Sequence, residues 1–223
     1  MAIFYVIATP IGNLEDITLR ALRIFKEVDL VLCEDTRVTK RLFEKYSITT
    51  PTMSYHARSG ESKVEEIFKN IEEGKTMALV TDAGTPGISD PGSLLVSRIR
   101  ARYPELKLVS IPGPSAVVAA LSIAGVPTDE FIFLGFLPHK KGRETLFREI
   151  ASSERTMIFY ESPHRIMKSL QSLKGMNKKI TIVREISKIY EEVIQGNPEE
   201  VSNILVVAPE KQKGEFVVIV SVL

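Results

Sequence analysis

Apolar and polar positions change period repeatedly along the chain. Ile3-Phe4-Tyr5-Val6-Ile7-Ala8 is a nearly continuous apolar run, the pattern of a short strand buried on both faces. After the turn Thr9-Pro10-Ile11-Gly12-Asn13, Ile17, Ala21, Ile24, Phe25 and Val28 recur at helical spacing, with Asp16 as the expected N-cap. The alternation predicts a strand near Leu30–Cys33, a helix from about Thr36 to Tyr46, an extended piece at Pro51–Tyr55 and a helix near Ser62–Glu73. It continues with a strand at Thr76–Val80 and a helix from Pro91 to about Arg102, N-capped by Asp90 with proline in its first turn. Lys107–Ile111 reads as a strand and Ser115–Ala124 as a helix. Strict alternation implies a parallel sheet covered by helices, so residues 1–112 are expected to form an N-terminal α/β domain.

Ala124-Gly125-Val126-Pro127-Thr128 interrupts this pattern as a junction would. Strands are predicted beyond it at Phe131–Leu134, Thr156–Tyr160, Ile180–Val183, Glu192–Gln195 and Phe216–Val222, with helices near Arg143–Ala151, Pro163–Leu173 and Pro198–Leu205. Several of these strands are too close in sequence for a helical crossover, which requires hairpins and therefore a mixed sheet. Residues 113–223 are expected to form this second α/β domain, with a ligand in the cleft between the two.

The densest candidate chemistry is Thr81-Asp82-Ala83-Gly84-Thr85-Pro86-Gly87-Ile88-Ser89-Asp90-Pro91-Gly92, followed by Ile111-Pro112-Gly113-Pro114-Ser115-Ala116. Both segments leave strands at the end where α/β sheets bind ligands, and glycine and proline build rigid turns that let a small molecule approach the backbone. Familiar alternatives fail. No G-x-G-x-x-G follows the first strand, and Gly74-Lys75-Thr76 ends a helix where a P-loop would begin one. Gly113-Pro114-Ser115-Ala116-Val117 lacks the closing glycine of a nucleophile elbow.

Charge narrows the partners. The 223 residues carry 29 Lys and Arg against 28 Asp and Glu, a net charge of +1, so RNA contact would need a local patch and not a polycationic surface. The single cysteine, Cys33, sits in an apolar run and reads as a buried strand residue, and the three histidines show no ligand spacing, so no metal is expected. Met1–Ala8 has no signal-peptide pattern and no apolar stretch approaches about 18 residues, so a cytoplasmic chain without membrane contact is expected.

Two clusters join acids and bases at strand ends. In Glu161-Ser162-Pro163-His164-Arg165, serine as a helix cap and proline at the first position explain two residues and leave Glu161, His164 and Arg165. In Glu34-Asp35-Thr36-Arg37, Asp35 or Thr36 is a candidate N-cap. These motifs, with Thr9-Pro10-Ile11-Gly12-Asn13-Leu14, Ser54-Tyr55-His56, the Asp82–Gly92 loop, Ile111–Ala116, Gly135-Phe136-Leu137-Pro138 and Phe159–Arg165, resemble the ribosomal RNA small subunit methyltransferase I family of the tetrapyrrole methylase superfamily.

The resemblance covers nearly the whole chain. It implies S-adenosylmethionine as cofactor, 2′-O-methylation of a cytidine ribose in the decoding region of small-subunit ribosomal RNA, naked or assembled, and a homodimer. It also implies cofactor contacts from Pro10, Asp82, Ala83, Gly84, Thr85, Ile88, Ser115, Ala116, Leu134 and Tyr160. Two departures touch the parts expected to face RNA: Ala57-Arg58-Ser59-Gly60-Glu61 stands where a His-Asn-Glu-like run is usual, and the sequence stops at Leu223 without the extension many members carry.

A ribose hydroxyl is a weak acid, so either a base accepts its proton as attack proceeds or the proton leaves late to water. Glu34 and Asp35 are the first candidates and His56 the third. Arg37 and Lys40, the cluster Lys140, Lys141 and Arg143, and His164 with Arg165 are the candidate RNA contacts. Two other readings stay open: a superfamily methyltransferase acting on a tetrapyrrole or a protein side chain, and a non-catalytic RNA-binding protein of ribosome assembly.

Overall fold

The fold is taken from a computed structural model that describes residues 2–222. Met1 and Leu223, the outer ends of the two expected domains, lie outside the described residues. The chain divides into two compact units, Met1–Ser115 and Ala116–Leu223.

In the first unit the elements are β1 (Ile3–Ile7), α1 (Leu19–Glu27), β2 (Leu30–Cys33), α2 (Thr36–Lys45), β3 (Thr52–Ser54), α3 (Glu61–Glu72), β4 (Met77–Leu79), α4 (Gly92–Arg102) and β5 (Lys107–Ile111). Their strands form one sheet in the order β3-β2-β4-β1-β5. Every described pairing in it is parallel, with Phe4 of β1 opposite Met77 of β4 on one side and Leu108 of β5 on the other.

The period-two alternation of the strands assigns the helices to faces. Val31, Cys33, Ala78 and Val80 share one core with Ala21, Ile24 and Phe25 of α1 and Leu42 and Phe43 of α2. Leu30, Leu32, Met77 and Leu79 share the other with Val64, Ile67 and Phe68 of α3 and Leu95 and Ile99 of α4. Each fully buried Leu, Ile or Phe contributes about 1.5–3 kcal/mol relative to exposure. Consequently the chain leaves β2 toward the α1/α2 face and β4 toward the α3/α4 face. Neighbouring strands whose connections depart to opposite faces leave a crevice at their carboxyl ends, and β2 and β4 form such a pair.

Local caps differ from expectation at α1 and at α4, whose N-cap position is held by Pro91 and not Asp90. Asp16 does not cap α1: Asn13 caps a 3₁₀ turn over Leu14–Asp16, and Thr18, whose hydroxyl accepts from the Ala21 N–H, caps α1. The extra turn delays the helix by about half a turn, which moves the cap to the next residue with a short acceptor.

The second unit contains α5 (Ala116–Ala124), β6 (Phe131–Phe136), α6 (Arg143–Ser152), β7 (Thr156–Glu161), α7 (Ile166–Leu173), β8 (Lys179–Arg184), β9 (Glu192–Gly196), α8 (Pro198–Val207) and β10 (Phe216–Ser221). Its sheet runs β6-β7-β10-β8-β9 and is mixed: β6 and β7 are parallel, while β10 is antiparallel to β7 and β8, and β8 to β9. Helices α6, α7 and α8 cover one face through Phe147, Leu170 and Leu205, and α5 covers the other through Val117, Ala120 and Leu121. α8 opens with a full capping box between Asn197 and Glu200. No helix among the described residues is long and apolar enough to cross a membrane.

Candidate active site

Three loops meet at the carboxyl ends of β4, β1 and β5. Thr9 and Gly84 exchange backbone hydrogen bonds, Thr9 N–H to Gly84 O at 2.9 Å and Gly84 N–H to Thr9 O at 3.0 Å. The Thr9 hydroxyl donates to Thr81 O at 3.0 Å, and the Thr85 hydroxyl donates to Pro114 O at 3.1 Å. Gly84 has φ +81°, and a Cβ there would lie 3.4 Å from Ile11 Cγ2 and 3.7 Å from the Pro114 carbonyl oxygen. Glycine is thus favoured by its left-handed backbone, and a Cβ there would only reach ordinary contact with the neighbouring loops. Pro10, Ala83, Gly84, Thr85 and Ser115 are thereby gathered at one end of the sheet, with Pro10 buried and Ala83 exposed.

The far side of the loop is held by Asp90. Its carboxylate accepts from Gly87 N–H at 2.8–2.9 Å and from Gly92 N–H at 2.7 Å. The N-cap position of α4 itself belongs to Pro91, already in helical conformation, so Asp90 closes the turn as well as satisfying a helix N–H. Ile88, 47% exposed, stands on the outside of that turn.

Beside this cradle lies the β2/β4 crevice. Asp35 caps α2 by accepting from the Arg37 N–H at 2.8 Å, and the Arg37 guanidinium grips the same carboxylate, Nη2 to Oδ2 at 2.6 Å. Those bonds lower the Asp35 pKa from 3.8 to about 2. Glu34 is the opposite case. Its Oε2 accepts from the Thr81 hydroxyl at 3.2 Å, and its pKa is raised above 4.5, first by loss of water and then by the negative charge of Asp82. Asp82 is itself raised above 3.8 by burial, although its Oδ1 accepts from the Asp35 N–H at 2.9 Å. Among the three candidate bases, the carboxylate tuned toward proton uptake is therefore Glu34.

His56 is exposed, and its Nδ1 accepts from the Arg58 N–H at 3.2 Å. This bond places the proton of the neutral ring on Nε2, which makes the outward nitrogen a donor. Lys40 extends into solvent from α2 and only approaches Glu44, at 3.9 Å.

In the second unit the structure separates residues the motifs suggested together. Leu134 packs toward the α6–α8 core and Tyr160 toward the α5 core, on opposite faces of the sheet. Phe133 and Phe136 flank Tyr160 with ring centroids at 5.0 and 5.3 Å, and burial raises the phenol pKa. Ala116 begins α5.

Arg143, expected to face RNA, is interior. It is 6% exposed, its Nη2 donates to Ser169 Oγ at 2.8 Å, and its guanidinium lies 4.8 Å from the Phe147 ring centroid. The carboxylate that draws it inward is Glu161, buried and contacted by Arg143 at 4.0 Å, Arg165 at 2.8 Å and the Ser169 hydroxyl at 2.5 Å. Arg165 also donates to Leu137 O at 2.8 Å and is 15% exposed, so its guanidinium is committed to the same network. Of the expected RNA contacts in this unit, Lys140, Lys141 and His164 lie on the surface. Ser162 is not the cap of α7, which starts at Ile166: its carbonyl accepts from both Arg165 and Ile166 N–H, and its own N–H donates to Glu161. Ser169 escapes a reading of the sequence, as do the hydroxyl partners of Thr9 and Thr81, since a lone hydroxyl carries no pattern and these partners are distant along the chain.

Comparison with known proteins agrees with this architecture. The family of tetrapyrrole (corrin/porphyrin) methylases matches residues 4–202. A ribosomal RNA small subunit methyltransferase I from Halalkalibacterium halodurans is 44% identical over 220 residues, covering 97% of this chain and 74% of that protein. One from Thermotoga maritima is 40% identical over 220 residues, covering 97% of this chain and 96% of that protein. Among solved structures, the methyltransferase CobJ superposes with a TM-score of 0.70 at 19% identity, over 99% of this chain and 94% of that one. A uroporphyrin-III C-methyltransferase from Thermus thermophilus complexed with S-adenosylhomocysteine gives 0.64 at 17% identity, over 99% and 97%. At these identities the solved structures share the fold.

Proposed function

The chain belongs to the ribosomal RNA small subunit methyltransferase I family within the tetrapyrrole methylases, and from that premise we propose that it transfers a methyl group from S-adenosylmethionine to the 2′-hydroxyl of a cytidine ribose in the decoding region of small-subunit ribosomal RNA. The observation that carries the chemical part is the β2/β4 crevice, where a desolvated Glu34 stands next to a loop built to hold a small molecule. Homodimer assembly and a cytoplasmic site of action complete the reading.

The loop fits such a cofactor. Gly84 leaves no side chain between the converging loops, and the paired Thr9–Gly84 bonds and the Asp90 clamp hold the backbone without a ligand's help. Pro10, Ala83, Gly84, Thr85, Ile88 and Ser115 are its contacts in this proposal. S-adenosylmethionine supplies the methyl carbon on a sulfonium, so the reaction needs alignment and proton removal more than charge stabilisation. Rigid positioning is the larger part of that work. Glu34 takes the hydroxyl proton, while Arg37 and Lys40, exposed on the first turns of α2, are placed for phosphate contact.

Glu34→Gln tests the assignment. Turnover should fall by about 10²-fold or more, with the affinity for S-adenosylmethionine unchanged by calorimetry. Undiminished turnover removes Glu34 from the chemistry.

A further inference from the structure

Asp82 occupies a position that belongs to both halves of the crevice. It follows β4 directly before Ala83 and Gly84 of the cradle, and its Oδ1 accepts from the Asp35 N–H at 2.9 Å at the end of β2. This bond ties the two loops together. We propose that Asp82 is a positioning residue acting through Glu34: one carboxylate oxygen fixes the Glu34–Asp35 corner, and its negative charge acts on the Glu34 carboxylate, so that the substrate proton is received by a pair of acids and not by a lone one. This rests on the assignment of Glu34 as proton acceptor.

The surroundings leave Asp82 as the leading charge on Glu34. Asp90, from the loop before α4, adds a smaller negative influence, and His56, from the loop after β3, opposes it. Asp82 in turn feels Asp35, which raises its pKa, and Arg37 of α2, which lowers it. Arg37 is bound to Asp35, and Arg41 acts on Asp35. Arg37, which acts on Asp82, is thus itself engaged by Asp35, one residue away from Glu34. Thr81, whose hydroxyl donates to Glu34 Oε2, supplies a hydrogen bond that favours the ionised form.

A lone solvated glutamate has a pKa of about 4.3 and accepts a hydroxyl proton poorly; a neighbouring carboxylate in a partly dry crevice makes it a stronger base. In the step itself the ribose O–H bond breaks as the O–CH₃ bond forms, the carbon–sulfur bond yields its electron pair to sulfur, and the proton passes to a Glu34 carboxylate oxygen and afterwards to water.

Three full-length variants separate the outcomes, with small-subunit ribosomal RNA as acceptor and folding checked by circular dichroism. Asp82→Asn keeps an oxygen for the Asp35 N–H and removes the charge. Its S-adenosylmethionine affinity should match wild type, and the acid limb of its single-turnover rate profile should move down by roughly half to one pH unit. Asp82→Ala loses the acceptor too, and its plateau rate should fall roughly tenfold further. An unmoved acid limb in Asp82→Asn, or weakened cofactor affinity with an unmoved limb, overturns the proposal, the second outcome making Asp82 a cofactor contact. If Asp82→Ala does not fold, Asp82→Asn alone decides. Glu34→Gln distinguishes the two levels: wild-type rates there overturn the assignment beneath, whereas an inactive Glu34→Gln with an unmoved Asp82→Asn limb overturns only the role of Asp82.

Discussion

Replacing Arg143 with alanine separates a structural arginine from an RNA-binding one. The side chain gives up a 2.8 Å hydrogen bond to Ser169, a weaker one to Pro138 O at 3.4 Å and its place over the Phe147 ring. A buried hydrogen bond is worth about 1 kcal/mol, a desolvated cation–π contact about 1–2 kcal/mol, and the vacated volume costs more. Against these stands Arg143 Nε, a buried nitrogen without a hydrogen-bond partner, whose removal returns part of the cost. Glu161 keeps Arg165 at 2.8 Å and is not stranded. The net loss is about 2–4 kcal/mol, or about 4–16 °C in melting temperature for a chain of this size. Differential scanning calorimetry reads that shift, and salt titration of RNA affinity reads the other half. The dependence of log affinity on log salt should be unchanged in Arg143→Ala, whereas Lys140→Ala with Lys141→Ala should lower its slope by about 0.7–0.9 per lysine that contacts phosphate and leave the melting temperature alone. A stable Arg143→Ala with a reduced salt slope refutes the buried placement.

Other substitutions follow from the first unit. Gly84→Val places a branched side chain at φ +81° against Ile11 and the Pro114 carbonyl, which should cost about 1–2 kcal/mol of stability and weaken S-adenosylmethionine binding at least about tenfold by calorimetry. Asp35→Asn should reduce turnover less than about tenfold, against about a hundredfold or more for Glu34→Gln, because an acid held at about pKa 2 is a poor base. The raised pKa of Asp82 means that the fold holds its proton more firmly than the unfolded chain does, so its ionisation costs stability once pH passes the native value. Asp82→Asn should therefore melt higher than wild type near pH 8, with the difference shrinking below about pH 4. Asp35 has the opposite sign: its pairing with Arg37 stabilises above pH 3.8 and is lost toward about pH 2, so Asp35→Asn should flatten the acid side of the stability profile.

Much of the scaffold is legible because burial on two faces writes itself into the strands. Leu30-Val31-Leu32-Cys33 alternates between the two cores, and the helical spacing of Ala21, Ile24 and Phe25 points one face inward. Local rules are weaker where a distant partner competes. At Ser162-Pro163 the cap-and-proline pattern predicts a helix start, yet buried Glu161 takes the Ser162 N–H and the Arg165 side chain, and α7 begins at Ile166. β6 runs two residues past its expected end, to Phe136, through a register shift next to Gly135 at φ +62°. Lys140-Lys141-Gly142-Arg143 reads as one basic patch, but only the fold shows that its last member meets Ser169, 26 residues on. The Thr9–Thr81 contact spans 72 residues and joins two loops that the sequence marks separately without showing that they meet.

The central claim is methyl transfer to a ribose hydroxyl, and its direct measurement is the position of the transferred carbon. The protein is incubated with methyl-labelled S-adenosylmethionine and small-subunit ribosomal RNA, free or assembled into particles, and the RNA is digested to nucleosides and sequenced by mass spectrometry. One decoding-region cytidine carrying label on its 2′-oxygen is the expected result, lost in Glu34→Gln. Label on a base, label on an added tetrapyrrole with none on RNA, or RNA binding without transfer would contradict the account.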